Sequence, residues 1–193
     1  MSNIKDKRSS ILQACIKVFS QKGYHKATIE DIANEAGIGK GTVYLYFSSK
    51  KELFEQMIEY SLDRYYSGIN EILLKDITIR ERLIELAKFH HKYLLQYINL
   101  AHTMIGQSSP ISSDKIKSMA NIKRERLKNL LYKFIDDGIA SGDIRSDINK
   151  EIAWISIMST INQYYVDKLN YNKEYSSDID PVQLADFLMK SIS

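Results

Sequence analysis

Apolar positions return at helical spacing along nearly the whole chain. Ile11, Leu12, Cys15, Val18 and Phe19 stand at i, i+1, i+4, i+7 and i+8, which is one stripe of an amphipathic helix. Gly23 is placed to end that helix, and Cys15, inside the stripe, reads as core. Thr28-Ile29-Glu30-Asp31 fits the capping-box pattern with Asp31 in the N3 role. It opens a short second helix whose inner face carries Ile29, Ile32, Ala33 and Ala36. Gly37-Ile38-Gly39 breaks the pattern, and a third helix is predicted from about Lys40 to Phe47, with Val43 and Phe47 toward the core. Ser49 with Glu52 forms another capping pair at the head of a fourth helix.

Helix four runs from about Lys50 into the low seventies on the stripe Leu53, Phe54, Met57, Ile58, Leu62 and Tyr65. Thr78-Ile79-Arg80-Glu81 is a third capping box. The helix after it carries Leu83, Leu86, Ala87, His90, Tyr93, Leu94 and Tyr97 on one face. A short helix around Ile98 to Gln107 and a loop from Ser108 to Ser113 follow. Further helices are predicted at about Asp114 to Ala140, Asn149 to Leu169, and from Pro181 to near Ile192, with a loop between Asn170 and Asp180. The total is about nine helices with no strand pattern and no internal repeat, so the fold class is all-α.

The penultimate helix is apolar on more than one face. Ile152, Ile155, Ser159, Asn162 and Val166 form one line; Trp154, Ile157, Met158, Ile161 and Tyr165 form another. The last helix adds Val182, Ala185, Leu188, Met189 and Ile192. Two helices with surplus apolar surface can pair with their copies across a twofold axis, or simply pack within the chain.

Composition agrees with helices: 193 residues hold two Pro and eight Gly. One Cys excludes an intrachain disulfide framework and a Cys-cluster zinc site. The polar start, MSNIKDKRSS, has no apolar segment of the secretory type. The longest apolar stretch, around Ile152 to Ile161, falls short of the ~20 residues a membrane span needs. A soluble cytoplasmic protein is expected.

Charge changes the picture more. The net charge is +3, and residues 1–55 carry nine Lys/Arg against six Asp/Glu, so the whole excess lies in the first quarter. A basic module on a neutral body points to a polyanion partner for that module. Two short helices joined by a tight Gly-containing turn make a helix-turn-helix, whose second helix enters the major groove of DNA. The third helix has suitable chemistry. Lys40 can meet a phosphate or guanine acceptors, and Thr42 a base edge or a thymine methyl. Tyr44 and Tyr46 offer hydroxyls to phosphate or base atoms. Gly41 permits close backbone approach. Free N–H groups at the head of helix four, with Lys50 and Lys51, can clamp a phosphate.

Phe19-Ser20-Gln21-Lys22-Gly23-Tyr24, Thr28-Ile29-Glu30-Asp31-Ile32-Ala33, Ala36-Gly37-Ile38-Gly39-Lys40-Gly41-Thr42-Val43-Tyr44-Leu45-Tyr46-Phe47 and Ser49-Lys50-Lys51-Glu52-Leu53 together resemble the N-terminal domain of TetR-family transcriptional regulators. The resemblance covers about residues 8–54. It implies a DNA-binding domain over 1–49 and a ligand-binding and dimerisation domain over 50–193. It implies that Thr28 caps the second helix and touches a phosphate, that Lys40, Gly41, Thr42 and Tyr44 line the major groove, and that Tyr46 and Lys50 hold phosphates. Leu45 and Lys51 complete the candidate DNA-binding set. The last two helices would form a four-helix dimer interface.

The same resemblance implies an effector cavity in the C-terminal bundle. Its candidate lining is Tyr65, Tyr66, Leu86, Phe89, His90, Tyr93, Met104, Leu127, Leu131, Phe134, Met158, Asn162 and Tyr165, although aromatic and Met residues at helical spacing are commonly plain core. Residues 88–135 hold nine Lys/Arg and two Asp/Glu, whereas 136–193 hold five and ten. That asymmetry is compatible with an anionic amphiphile such as an acyl-coenzyme A, but a solvated face that pairs with the acidic segment accounts for it more simply. The expected function is a homodimeric repressor released from a pseudo-palindromic operator by a small hydrophobic ligand, without cofactor, metal or membrane. The alternatives are an effector-independent DNA-organising protein of the same fold, or an enzyme using the cavity. Against the enzyme, no HExxH, Walker A, GxGxxG or nucleophile-elbow motif occurs. His90 and His91 are adjacent on a helix and point about 100° apart, which is poor for chelation.

Overall fold

The computed structural model describes the backbone of residues 2–105, 113–171 and 180–193, with side chains for 7–96, 180–193 and most of 114–169. Among the described residues there are eight helices and no strand: α1 (Ser2–Lys26), α2 (Ile29–Glu35), α3 (Lys40–Tyr46), α4 (Lys50–Leu73), α5 (Ile79–Ile105), α6 (Ser113–Ser141), α7 (Lys150–Tyr171) and α8 (Pro181–Ile192). The expected break near Ile98 is absent. α5 continues to Ile105 because no Gly or Pro interrupts it there, and this removes one of the nine predicted helices. Most of the expected loops at 108–113 and 170–180 lies outside the described residues.

Packing divides the chain into two compact units, Met1–Arg64 with Gln96–Asn121, and Tyr65–Leu95 with Ile122–Ser193. The boundary expected between residues 49 and 50 marks the step from α3 into α4, whereas packing groups α4 through Arg64 with the N-terminal helices.

In the first unit the α1 stripe is buried as expected, with Ile11, Leu12, Cys15, Val18 and Phe19 closed off from solvent together with Ile32, Val43, Phe47, Leu53 and Phe54. Phe19 meets the Phe54 ring edge-on at 5.2 Å between centroids and stacks on Tyr24 at 5.7 Å. Burial pushes the Cys15 thiol well above its ordinary range, so it is a packing residue. Gly23 leaves the helical region at φ 72°, ψ 166°, which is where the stripe ends. The turn after α2 is a Schellman motif. Ile38 N–H donates to Ala33 O at 3.0 Å, Gly37 N–H donates to Asn34 O at 3.1 Å, and Gly37 takes φ 66°. That left-handed step needs a glycine, and it swings the chain directly into α3.

The second unit is a bundle whose core includes Leu83, Leu86, Ala87, Leu131, Phe134, Ile157, Ile161, Tyr165, Ala185 and Leu188. Its joints are specific. Thr78 and Glu81 form the full capping box, Asn149 caps α7 through Ile152 N–H at 3.0 Å, and Asp180 caps α8. Arg80 pairs with Asp186 at 2.6 Å. Arg145 donates to the carbonyls of Ile192 and Ser191, satisfying the open end of α8. One of the two apolar lines of α7 is buried: Trp154, Ile157, Ile161 and Tyr165 enter the core, with Met158 half-buried. The other is not. Ile152 is 64% and Ile155 44% exposed, as are Val182 (39%) and Phe187 (62%) on α8.

The end of α6 shows how tight the packing is. Gly138 O accepts from both Asp143 N–H and Ile144 N–H, and Gly142 closes the turn at φ 81°. A Cβ on Gly138 would lie 2.5 Å from Ile144 Cδ1 and 2.7 Å from its Cγ1. Gly138→Ala is therefore expected to cost about 1–3 kcal/mol of stability despite the better helix propensity of Ala. Urea denaturation checks this, and an unchanged midpoint would mean that Ile144 relaxes freely.

Candidate nucleic-acid interface

A seven-residue helix has little stability of its own, so α3 (Lys40–Tyr46) must be held by its inner side. Val43 is 0% exposed and the C-cap residue Phe47 is 2% exposed. Arg8 lies over the Phe47 ring at 5.5 Å and donates to Gln56 on α4. With the inner side fixed, the outer residues face solvent. Tyr44 is 49% and Leu45 83% exposed, Lys40 and Gly41 are exposed, and Thr42 and Tyr46 are half-buried. Among the described residues no partner holds the Tyr44 hydroxyl.

Thr28 caps α2 as the spacing foretold. Its Oγ1 accepts from Asp31 N–H at 3.0 Å, and its N–H donates to Asp31 Oδ2 at 2.9 Å. Lys22 Nζ donates to the other Asp31 oxygen at 2.7 Å, and Lys17 pairs with Glu35 at 2.7 Å. These pairs fasten α1 to α2 and leave Lys26, Lys40 and Lys51 exposed, with no ion partner among the described residues. Each pair cancels one lysine against one acid and so leaves the formal charge unchanged, while Lys26, Lys40 and Lys51 stay open to solvent.

Two placements differ from expectation. Ser49 Oγ accepts from Glu52 N–H at 3.1 Å, but the Glu52 carboxylate reaches back one residue further, to Ser48 N–H at 2.8 Å and to its hydroxyl. Lys50 is half-buried. Its Nζ sits 4.5 Å above the Tyr24 ring and donates to His25 O at 3.4 Å, and burial lowers its pKa. Lys50 therefore also ties the start of α4 to the end of α1, a role invisible in residue spacing.

In the second unit the candidate effector residues separate into groups. Leu86, Leu127, Leu131, Phe134 and Tyr165 are buried core, and the Met104 side chain lies outside the described residues. Tyr65, Phe89 and Tyr93 form an aromatic cluster, with Tyr65 5.9 Å from Phe89 and 4.5 Å from Tyr93 between centroids. The Tyr65 hydroxyl is 2.9 Å from His90 Nδ1, and His90 Nε2 is 3.2 Å from Asn162 Oδ1. An amide oxygen only accepts, so Nε2 carries the proton and Nδ1 accepts from the phenol. Burial lowers the His90 pKa and raises that of Tyr65, so both stay neutral. His91, whose ring stacks on Tyr165 at 4.9 Å, was not singled out beyond its adjacency to His90. Among the described residues its Nε2, Trp154 Nε1 and the Tyr165 hydroxyl are buried without a hydrogen-bond partner, as is Ser20 Oγ in the first unit. Burial pushes the Tyr165 phenol up to about 12.

A groove of about 320 Å³ lies on the α4–α5 side of this unit, with Gly68, Ile72 and Phe89 below and Lys75, Lys88, Lys92, Glu71 and Glu85 around it. Of the candidate effector residues, Phe89 is the one that lines it; the i, i+4 pair Lys88 and Lys92 is the sequence signal for the rest. Among the described residues no group of three or more His, Cys, Asp or Glu could hold a metal, and no helix is long and apolar enough to cross a membrane.

Residues 11–57 match the family profile described as "Bacterial regulatory proteins, tetR family". The chain is 26% identical over 164 residues to the fatty acid metabolism regulator protein of Bacillus subtilis (strain 168), covering 84% of each. Its fold matches a TetR-family regulator structure from Mesorhizobium loti MAFF303099 with a TM-score of 0.75 at 20% identity, over 97% of this chain and 95% of that one. It also matches FadR from Bacillus subtilis, solved in complex with stearoyl-CoA, with a TM-score of 0.67 at 24% identity over 94% and 95%. These relatives are regulators of transcription, not enzymes.

The α1–α2 clasp carries a pH signature. The Lys22 ammonium and the Thr28 donors hold the Asp31 carboxyl down from 3.8 to about 2. A depressed carboxyl contributes stability that is complete above its unfolded value and lost as pH falls through its folded value. Acid titration of unfolding should show a slope between about pH 4 and 2 that Asp31→Asn flattens. Identical slopes in both proteins would deny the clasp.

Proposed function

Since this chain belongs, through residues 11–57, to the TetR family of bacterial regulatory proteins, we propose that this transcriptional regulator acts as a homodimeric repressor of a pseudo-palindromic operator. The observation that carries the reading is the two-sidedness of α3, buried at Val43 and open at Lys40, Gly41, Tyr44 and Leu45. The open side enters the major groove. Tyr44 and Lys40 bond base edges or phosphates, and Thr42 discriminates one base step. Thr28, Tyr46, Lys50 and Lys51 hold the sugar-phosphate rails. Half-site centres lie about 34–36 Å apart or a multiple of that.

Dimerisation uses α7 and α8, supported by the exposed Ile152, Ile155, Val182 and Phe187. Residues 50–193 form the dimerisation and effector domain, and the regulator works in the cytoplasm. Its effector is an anionic amphiphile, a long-chain acyl-CoA. The role of the Bacillus subtilis relative as a fatty acid metabolism regulator and the stearoyl-CoA bound to FadR support this, as does the groove lined by Lys75, Lys88 and Lys92 together with Ile72 and Phe89. Effector binding favours a spacing of the two heads that no longer fits the groove repeat, with α4 as the lever because its residues belong to both units.

With DNA selected from random duplexes as operator, Tyr44→Ala and Lys50→Ala are expected to weaken binding by on the order of tenfold, Lys50→Ala by similar factors on all sequences. Thr42→Ala should relax preference at one base step. Steep loss of affinity with salt accompanies all of them. Unchanged gel shifts for the three variants, with intact circular dichroism, would reject the site.

A chain-length series of acyl-CoAs should release the operator, with the longer chains more potent. No release and no thermal shift across the series would favour the effector-independent DNA-organising reading.

A further inference from the structure

Leu45 is an oddity in the open face. At 83% exposed it is the most solvent-accessible of the large apolar residues described. At about 100° per residue it lies roughly opposite Val43, the residue that faces the core. Gly41, one turn earlier, shares that outermost ridge. A Cβ at Gly41 would meet nothing within 4 Å, and its backbone does not require glycine. Nothing among the described residues explains a residue that weakens a short helix. The gap at Gly41 and the projection at Leu45 both make sense only toward something outside.

Resting on the reading above that α3 enters DNA, we propose that Leu45 reads the methyl group of a thymine in each half-site, with Gly41 letting the helix settle to that depth. The chemistry selects the partner. A Leu side chain has no donor or acceptor and gains nothing from phosphate. In the major groove the one apolar group that a base pair presents is the thymine C5 methyl. Lys40 and Tyr44 flank the ridge and supply polar contacts; Leu45 supplies discrimination against cytosine and guanine at its position.

Replacing thymine by uracil removes that methyl and leaves every hydrogen-bonding group in place. The test is a scan of the selected operator in which each dT becomes dU, with affinity read by fluorescence anisotropy at fixed salt. One position per half-site should weaken wild-type binding by about fourfold, the scale of one buried methyl group. Leu45→Ala should bind dT and dU forms equally and match wild type on the dU form. Gly41→Ala should melt at a higher temperature yet bind the operator more weakly. Indifference of the wild type to every dU, or an undiminished dU penalty in Leu45→Ala, overturns the proposal while the DNA-binding reading stands. If no sequence is enriched in the selection, both fall. If Leu45→Ala changes self-association and leaves DNA affinity intact, the ridge is a protein contact and the proposal is wrong.

Discussion

A helix of seven residues cannot hold itself in water, and the anchoring of α3 through Val43 and Phe47 is the constraint on which everything else rests. Phe19 and Phe54, buried in the same unit, pack edge to face. The Schellman turn at Gly37 fixes where α3 begins, and the α1–α2 ion pairs fix what it leans on. Because the inner side is committed, Lys40, Tyr44 and Leu45 are presented without cost to the fold. The same ion pairs each cancel one lysine against one acid, and among the described residues Lys40 keeps no ion partner at the head of the presenting face.

The second unit has a different character. Its core is conventional aliphatic and aromatic packing, yet a neutral hydrogen-bonded chain runs from Tyr65 through His90 to Asn162. Among the described residues, three further buried polar atoms of this unit, on His91, Trp154 and Tyr165, lack hydrogen-bond partners. Unsatisfied buried polar groups are costly to a fold. Ile152 and Ile155 of α7 and Val182 and Phe187 of α8 likewise stay uncovered.

Much of this was legible because it depends on local chemistry. The boxes Thr28–Asp31 and Thr78–Glu81, the stop at Gly23, the turn at Gly37 and the α1 stripe each follow from residues a few positions apart. What escaped depends on distance in the chain. The unbroken course of α5 past Ile98 follows from the lack of any Gly or Pro there, which a reading of apolar spacing alone passes over. The seat of Lys50 over Tyr24 joins positions twenty-six residues apart, and the lysines of the groove join the turn after α4 (Lys75) to α5 (Lys88 and Lys92). Ile152 and Tyr165 are both apolar-line residues of α7, and spacing could not say that one would be open and the other closed.

The chain's single cysteine, Cys15, is buried and its thiol is held in the unreactive protonated form, which permits a direct measurement of where DNA lies. Leu45→Cys and, as a control on α7, Glu151→Cys can each be offered duplex operator carrying a thiol-tethered base in the major groove. Disulfide capture from position 45 at one base per half-site, with none from position 151, is the expected result. Equal capture from both, or none from position 45 on bound DNA, would contradict the claim that the open face of α3 is the surface that reads the groove.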